Sequence, residues 1–199
     1  VAIGDEHFYI ISNTDGEIAM LAKYNLYVGG KYESSWTAYG DEATGIQDST
    51  MMGRQTNSNL VRRGTISFAS SAYWGNVSSG TYVYNSNSKL YLYVDNYKAY
   101  LESLDVSVKA ARLIKLEELE TLGCSNSGHS CRSAPLWVYA TSYWIGTAYD
   151  STHIFRVDCP GDLYDGGYLY EDSYGVRPVI KFDINSISLT SGSSKSHLK

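Results

Sequence analysis

Apolar positions along the chain fall into patches with different periods. Residues 8–12 and 18–22 are apolar runs on either side of Asn13-Thr14-Asp15-Gly16, which predicts two strands joined by a turn. Leu90, Val94, Tyr97 and Leu101 recur at three- and four-residue steps, and Leu104 extends the stripe, so a helix is predicted there with Ser86 or Ser88 as its cap. Residues 106–114 alternate like a strand. Residues 115–122 read as a second helix, stopped by Gly123. The apolar run 136–144 predicts a buried strand, and 154–157 and 176–182 predict two more, with Pro178 suiting an edge position. Residues 26–59 are rich in Gly, Ser, Thr and Asp and lack sustained periodicity, and 66–74 read as a loop anchored by Trp74. Strands and helices do not alternate regularly, which points to α+β with antiparallel pairing. One domain over 1–185 is expected, with a long insertion at about 26–85 and a flexible tail over 186–199.

Composition changes this picture in one respect. The chain has 19 tyrosines against 4 phenylalanines. Tyr offers a large rigid face and a hydroxyl at low entropic cost, which suits recognition surfaces, although half-buried strands also favour it. The net charge of −5 gives no electrostatic reason to expect nucleic acid. No apolar run approaches the length needed to span a bilayer. The chain opens at Val1 without a methionine, so it reads as trimmed, and an export signal is compatible with that.

Three cysteines cannot all pair internally. Cys124 and Cys131 close a short Ser/Asn/Gly-rich loop and suit a disulfide in an oxidising compartment. A zinc site using His129 between them would need a fourth ligand, with Cys159 and distant histidines as the candidates, so no metal or other cofactor is expected.

Four segments resemble one known family. Ala111-Arg112-Leu113-Ile114-Lys115-Leu116-Glu117-Glu118-Leu119-Glu120 resembles the "RLPTEAEWE" segment of the formylglycine-generating-enzyme and sulfatase-modifying family. Residues 137–144 look like its "WYWTSS" strand, Ile154-Phe155-Arg156-Val157 its "AWxV" strand, and Gly175-Val176-Arg177-Pro178-Val179-Ile180 its terminal "GFRPV" strand. The order is right over residues 106–182. The resemblance implies a C-type lectin fold, which carries several functions.

Three functions compete on that scaffold. Formylglycine-type catalysis needs an available cysteine pair late in the chain. Cys124 and Cys131 lie too early, and Cys159 stands alone beside Asp158 and Asp162, so no enzyme is expected. A calcium-dependent lectin needs Glu-Pro-Asn or Gln-Pro-Asp before Trp-Asn-Asp, and neither is present. The third is a hypervariable binder. Between Trp144 and Tyr174 a framework of Trp144, Gly146, Phe155, Val157 and Gly161 is interleaved with an assortment of residues that has no period. This is similar to the variable proteins of diversity-generating retroelements, found in bacteria and phages. A fixed binding domain of the same fold is the alternative.

On the hypervariable reading the ligand-contacting positions are Ile145, Thr147, Tyr149, Asp150, Ser151, His153, Arg156, Asp158, Cys159, Asp162, Leu163, Tyr164, Asp165, Tyr168, Tyr170, Asp172 and Ser173. A core of Trp137, Trp144, Phe155, Val157, Val176 and Ile180 would hold them rigid. No lysine occurs between Lys115 and Lys181, in keeping with the depletion of Lys at interfaces. Residues 150–172 hold six acidic side chains against Arg156, so an acidic face for a basic or polyhydroxylated partner is expected. That partner would be a protein or a cell-surface ligand, met on a cell surface or phage particle. Arg177 is expected to be a framework residue of the closing strand, tying down loop carbonyls or a carboxylate.

Overall fold

The computed structural model describes residues 1–4, 6–26, 66–69, 77–158, 161–168 and 174–184. Most of the expected insertion, Trp74, the 186–199 tail, and Cys159, Tyr170, Asp172 and Ser173 lie outside the described residues.

Among the described residues the architecture is α+β, with two antiparallel sheets and two helices. The first sheet has five strands: β1 (Ala2–Ile3), β2 (Glu6–Thr14), β3 (Glu17–Ala22), β4 (Val108–Leu113) and the last strand, β8 (Pro178–Asp183). Their order is β1-β2-β3-β8-β4. The second sheet is the meander β5 (Tyr143–Ala148), β6 (His153–Asp158), β7 (Asp162–Tyr168). The helices are α1 (Tyr91–Glu102) and α2 (Leu116–Thr121).

The first hairpin is tighter than its sequence suggests. Pairing runs to Thr14↔Glu17, so only Asp15 and Gly16 turn the chain. Both have positive φ, 53° and 73°, the requirement of the turn whose twist matches a hairpin. The strand that follows, Ile18-Ala19-Met20-Leu21-Ala22, is apolar without alternation because both of its faces are covered. Ile18, Met20 and Ala22 join one core cluster with Leu90, Val94, Tyr97 and Leu101 of the α1 region. Ala19 and Leu21 join the other, with Leu116 and Leu119 of α2 and with Tyr143, Ile145, Phe155, Val157 and Leu163 of the second sheet. The five-stranded sheet is thus the middle layer. Each fully buried large apolar side chain contributes about 1.5–3 kcal/mol.

Helix α2 ends as its sequence predicts. Gly123 has φ 104°; its N–H bonds Glu120 O at 3.0 Å, and the Cys124 N–H bonds Leu119 O at 2.9 Å, satisfying two terminal carbonyls. The start of the helix is held from elsewhere: Leu116 N donates to the buried Thr147 Oγ1 at 3.0 Å, and Lys115 N to Glu118 Oε2 at 2.9 Å.

Three local expectations are corrected. Neither Ser86 nor Ser88 caps α1: its N-cap is Leu90, with no side-chain cap bond, and Ser88 Oγ accepts from Asn85 N in the preceding turn. Residues 136–144 are not one strand. Leu136–Val138 form a 3-10 turn, and the strand begins only at Tyr143. The carbonyls of Trp137 and Val138 are taken by Arg177 Nη1 (2.7 and 3.3 Å), and Val138 O also accepts from Tyr143 Oη at 2.7 Å, so side chains replace the ladder there. Burial pushes the Tyr143 phenol up to about 12, which keeps it a donor. Trp137 accordingly is half-buried and stacked on Tyr9 (centroids 4.4 Å apart), while Trp144, Phe155, Val157, Val176 and Ile180 are buried as expected. Pro178 is not on an edge strand. β8 lies between β3 and β4, and Pro178 is tolerated because it is the first residue, paired with Leu113 only. Arg177 does tie down carbonyls, adding Ala22 O at 2.6 Å.

Candidate functional site

Most of the described candidate positions lie on the second sheet and its connecting turns. The framework interleaved with them is held by packing. Trp144 is fully buried; its Nε1–H bonds Ile66 O at 2.7 Å, and its ring meets Phe68 and Tyr174 edge-on. Gly146 lies against the Tyr82 ring, which a Cβ would meet at 2.1 Å, so no other residue fits without moving that ring. Phe155 and Val157 fill the second core cluster, and Gly161 has φ 115° at the β6–β7 turn. Tyr82 was not legible as a partner of this sheet: it comes from a distant segment, and its hydroxyl donates to Leu113 O at 3.1 Å.

The edge of β5 is closed by neighbouring chain. Val83 N bonds Gly146 O (2.9 Å), Ala148 N bonds Thr81 O (2.8 Å) and Gly146 N bonds Ile114 O (2.8 Å). Ile145 and Thr147 of β5 lie inside the protein at 0% exposure, as does Leu163 of β7, and Arg156 of β6 nearly so. Among the described positions Tyr149, Tyr164 and Tyr168 are the most exposed, at 40, 48 and 43%, with Asp150, Ser151, His153, Asp158 and Asp162 partly exposed around them. Asp165 lies in β7.

These side chains form two groups rather than one face. Alternation along β6 sends Phe155 and Val157 to the second core cluster and Ile154 to the first. Tyr149 packs edge-on against Phe155 (5.5 Å), and His153 bridges Tyr149 (6.4 Å) and Tyr168 (4.2 Å). Arg156 lies with the first cluster instead: its guanidinium is 4.4 Å from the Tyr164 ring and 4.2 Å from that of Tyr174, and Nε donates to Asp158 Oδ2 at 3.1 Å. Gly167 permits this, because a Cβ would meet Trp144 at 2.7 Å and Arg156 Nη1 at 3.1 Å.

Of the acidic side chains expected to make this face acidic, two have cationic partners among the described residues. Asp158 pairs with Arg156, and Asp162 with Arg132 at 3.2 Å, a partner outside that window. Asp150 organises the β5–β6 turn: Oδ1 accepts from Thr152 N (2.7 Å), Thr152 Oγ1 (3.0 Å) and His153 N (2.8 Å), and His153 Nδ1 lies 2.9 Å from both oxygens. Burial raises its pKa, but these donors together outweigh that and hold the carboxyl at about 2.

The far edge of β7 is held by the Cys124–Cys131 disulfide loop. Ser130 bridges Asp162, Cys131 N bonds Gly161 O at 2.7 Å and Leu163 N bonds His129 O at 3.0 Å. The disulfide removes both thiols from zinc ligation, and no group of three His, Cys, Asp or Glu that could hold a metal occurs among the described residues. No described helix is long and apolar enough to cross a membrane. No family model, curated protein or solved structure matches the chain.

Proposed function

We propose that this chain is a recognition domain of the C-type lectin fold, and that its second sheet and turns form the binding surface of a hypervariable protein diversified by a retroelement. One observation supports the reading most. Within a single meander, positions locked by packing (Trp144, Gly146, Phe155, Val157) are interleaved with large exposed tyrosines at 149, 164 and 168. A single exposed ring is ordinary on a protein surface; what supports the reading is three of them gathered on one meander, since contiguous exposed aromatic surface marks interaction sites. A rigid backbone carrying aromatic anchors gives affinity without the entropic cost of ordering loops.

The alternative, a fixed binding domain of this fold, draws on a second observation. Ile145, Thr147 and Leu163 are fully buried, and free exchange there would cost core packing. The two readings separate by sequencing the gene's neighbourhood in many isolates. Diversification requires a nearby copy of the 144–174 coding stretch, differing only where that copy has adenine, together with a reverse transcriptase. On the hypervariable reading, differences spare codons 144, 146, 155 and 157 and concentrate at 149, 164 and 168. An intact locus with no such copy leaves the fixed domain.

A further inference from the structure

We propose that Tyr149, His153 and Tyr168, with the Asp150 carboxylate beside them, form a subsite for an arginine or lysine side chain of a protein partner. The proposal rests on the recognition reading above and names the chemistry of one of its two side-chain groups. Three rings stand in a row, with His153 4.2 Å from Tyr168 and 6.4 Å from Tyr149, and both tyrosines are 40% or more exposed. The faces of tyrosine rings carry negative potential and attract cations. Asp150 adds a full negative charge within the same turn. Its Oδ1 is saturated by three donors besides His153, whereas the partner of Oδ2 among the described residues is His153 Nδ1 alone. A carboxylate oxygen has two lone pairs, so Oδ2 keeps accepting capacity, on a side chain that is 43% exposed.

The cations of this sheet are committed elsewhere. Arg156 lies between Tyr164 and Tyr174 and pairs with Asp158, and Arg132 pairs with Asp162. Asp150 thus has no Lys or Arg partner among the described residues. An anion would meet its charge. A neutral sugar would gain ring stacking and hydroxyl hydrogen bonds to Oδ2, but no ion pair.

The test titrates the full chain with N-acetyl-arginine-N-methylamide while following backbone amide shifts, and repeats the titration with the citrulline analogue, a neutral isostere, and with methyl glucoside. Expected are shifts at 149–153 and 168 with a Kd on the order of millimolar, and binding about tenfold weaker for citrulline. Tyr168→Ala and Asp150→Asn should each weaken the arginine probe by about three- to tenfold, and added salt should weaken it further. Equal affinity for arginine and citrulline, stronger binding of the glucoside, or shifts confined to Tyr164 and Arg156 would overturn the proposal, as would no shift at all. Thermal melting of each variant separates lost binding from lost folding. A partner protein whose capture is weakened by Tyr164→Ala but not by Tyr168→Ala or Asp150→Asn leaves recognition standing and removes this subsite.

Discussion

The two sheets present different chemistry to solvent. The five-stranded sheet shows charge at its surface: Lys109 and Lys181 both pair with Glu17, and Lys109 also lies 3.6 Å from Asp183. Such pairs are screened by water and contribute little to stability, but they keep a sheet soluble. The three-stranded sheet shows Tyr149, Tyr164 and Tyr168. Neither sheet is short of burial, since both feed the same two core clusters. The difference is therefore not one of packing quality. The larger sheet also exposes Ile10, and the smaller one carries the Asp162–Arg132 pair, so the contrast lies in the three exposed tyrosines gathered on one meander.

The largest expected break in that contrast comes from the locked positions of the smaller sheet. Trp144→Ala removes a fully buried ring that contacts Phe68 and Tyr174 and donates to Ile66 O, and should cost about 3–5 kcal/mol in denaturant unfolding. A loss under about 1 kcal/mol would mean that the second sheet does not depend on its framework.

Next is the disulfide. Replacing Cys124 and Cys131 together by serine should cost about 2–3 kcal/mol from the freed loop of the unfolded chain. The Leu163 amide, bonded to His129 O, should lose hydrogen-exchange protection ahead of amides in β3 and β8. Uniform loss of protection would show that the two sheets open as one unit.

A smaller effect is expected where the layers join. Arg112 of β4 makes two bonds to Glu118 of α2, at 2.7 and 2.5 Å, both side chains being mostly buried. Burial pushes the Glu118 carboxyl up, but the guanidinium and the Lys115 N–H outweigh it, so its folded pKa lies below the ordinary 4.5. This contribution is complete above pH 4.5 and disappears as pH falls through the lower folded value. Glu118→Gln should cost about 1–2 kcal/mol at pH 7 and less in acid, measured by unfolding at both pH values.

The smallest effect belongs to the β5–β6 turn. With Asp150 at about 2 in the fold against 3.8 ordinarily, its contribution is lost between about pH 4 and pH 2. Because the side chain is substantially exposed, Asp150→Asn should cost only about 0.5 kcal/mol, read as a small Tm shift at pH 7 that vanishes at pH 2. That leaves it useful as a binding probe.

Elements whose signal is local were legible in the chain. The Asp15-Gly16 hairpin, the Leu90–Val94–Tyr97–Leu101 stripe, the Gly123 stop and the Cys124–Cys131 bridge each depend on residues near one another in sequence. The framework at Trp144, Gly146, Phe155 and Val157 was legible as well, because large apolar residues and a glycine stood out against their neighbours. Partners distant in sequence were not. A continuous apolar run over 136–144 cannot reveal that Arg177, some forty residues on, will take its carbonyls and bend it into a turn. Nor can the run of candidate positions show which are covered: Ile145 and Thr147 are buried because residues 81–84, Ile114 and Leu116 close over β5. By itself, then, the sequence determined that the first hairpin, the α1 stripe and the stop of α2 would form, since backbone sterics and side-chain period act over a few residues, though not where α1 or β5 begins. Tertiary structure decided which tyrosines remain in water and which charges are already paired, because burial and ion pairing depend on segments the chain brings together only when folded.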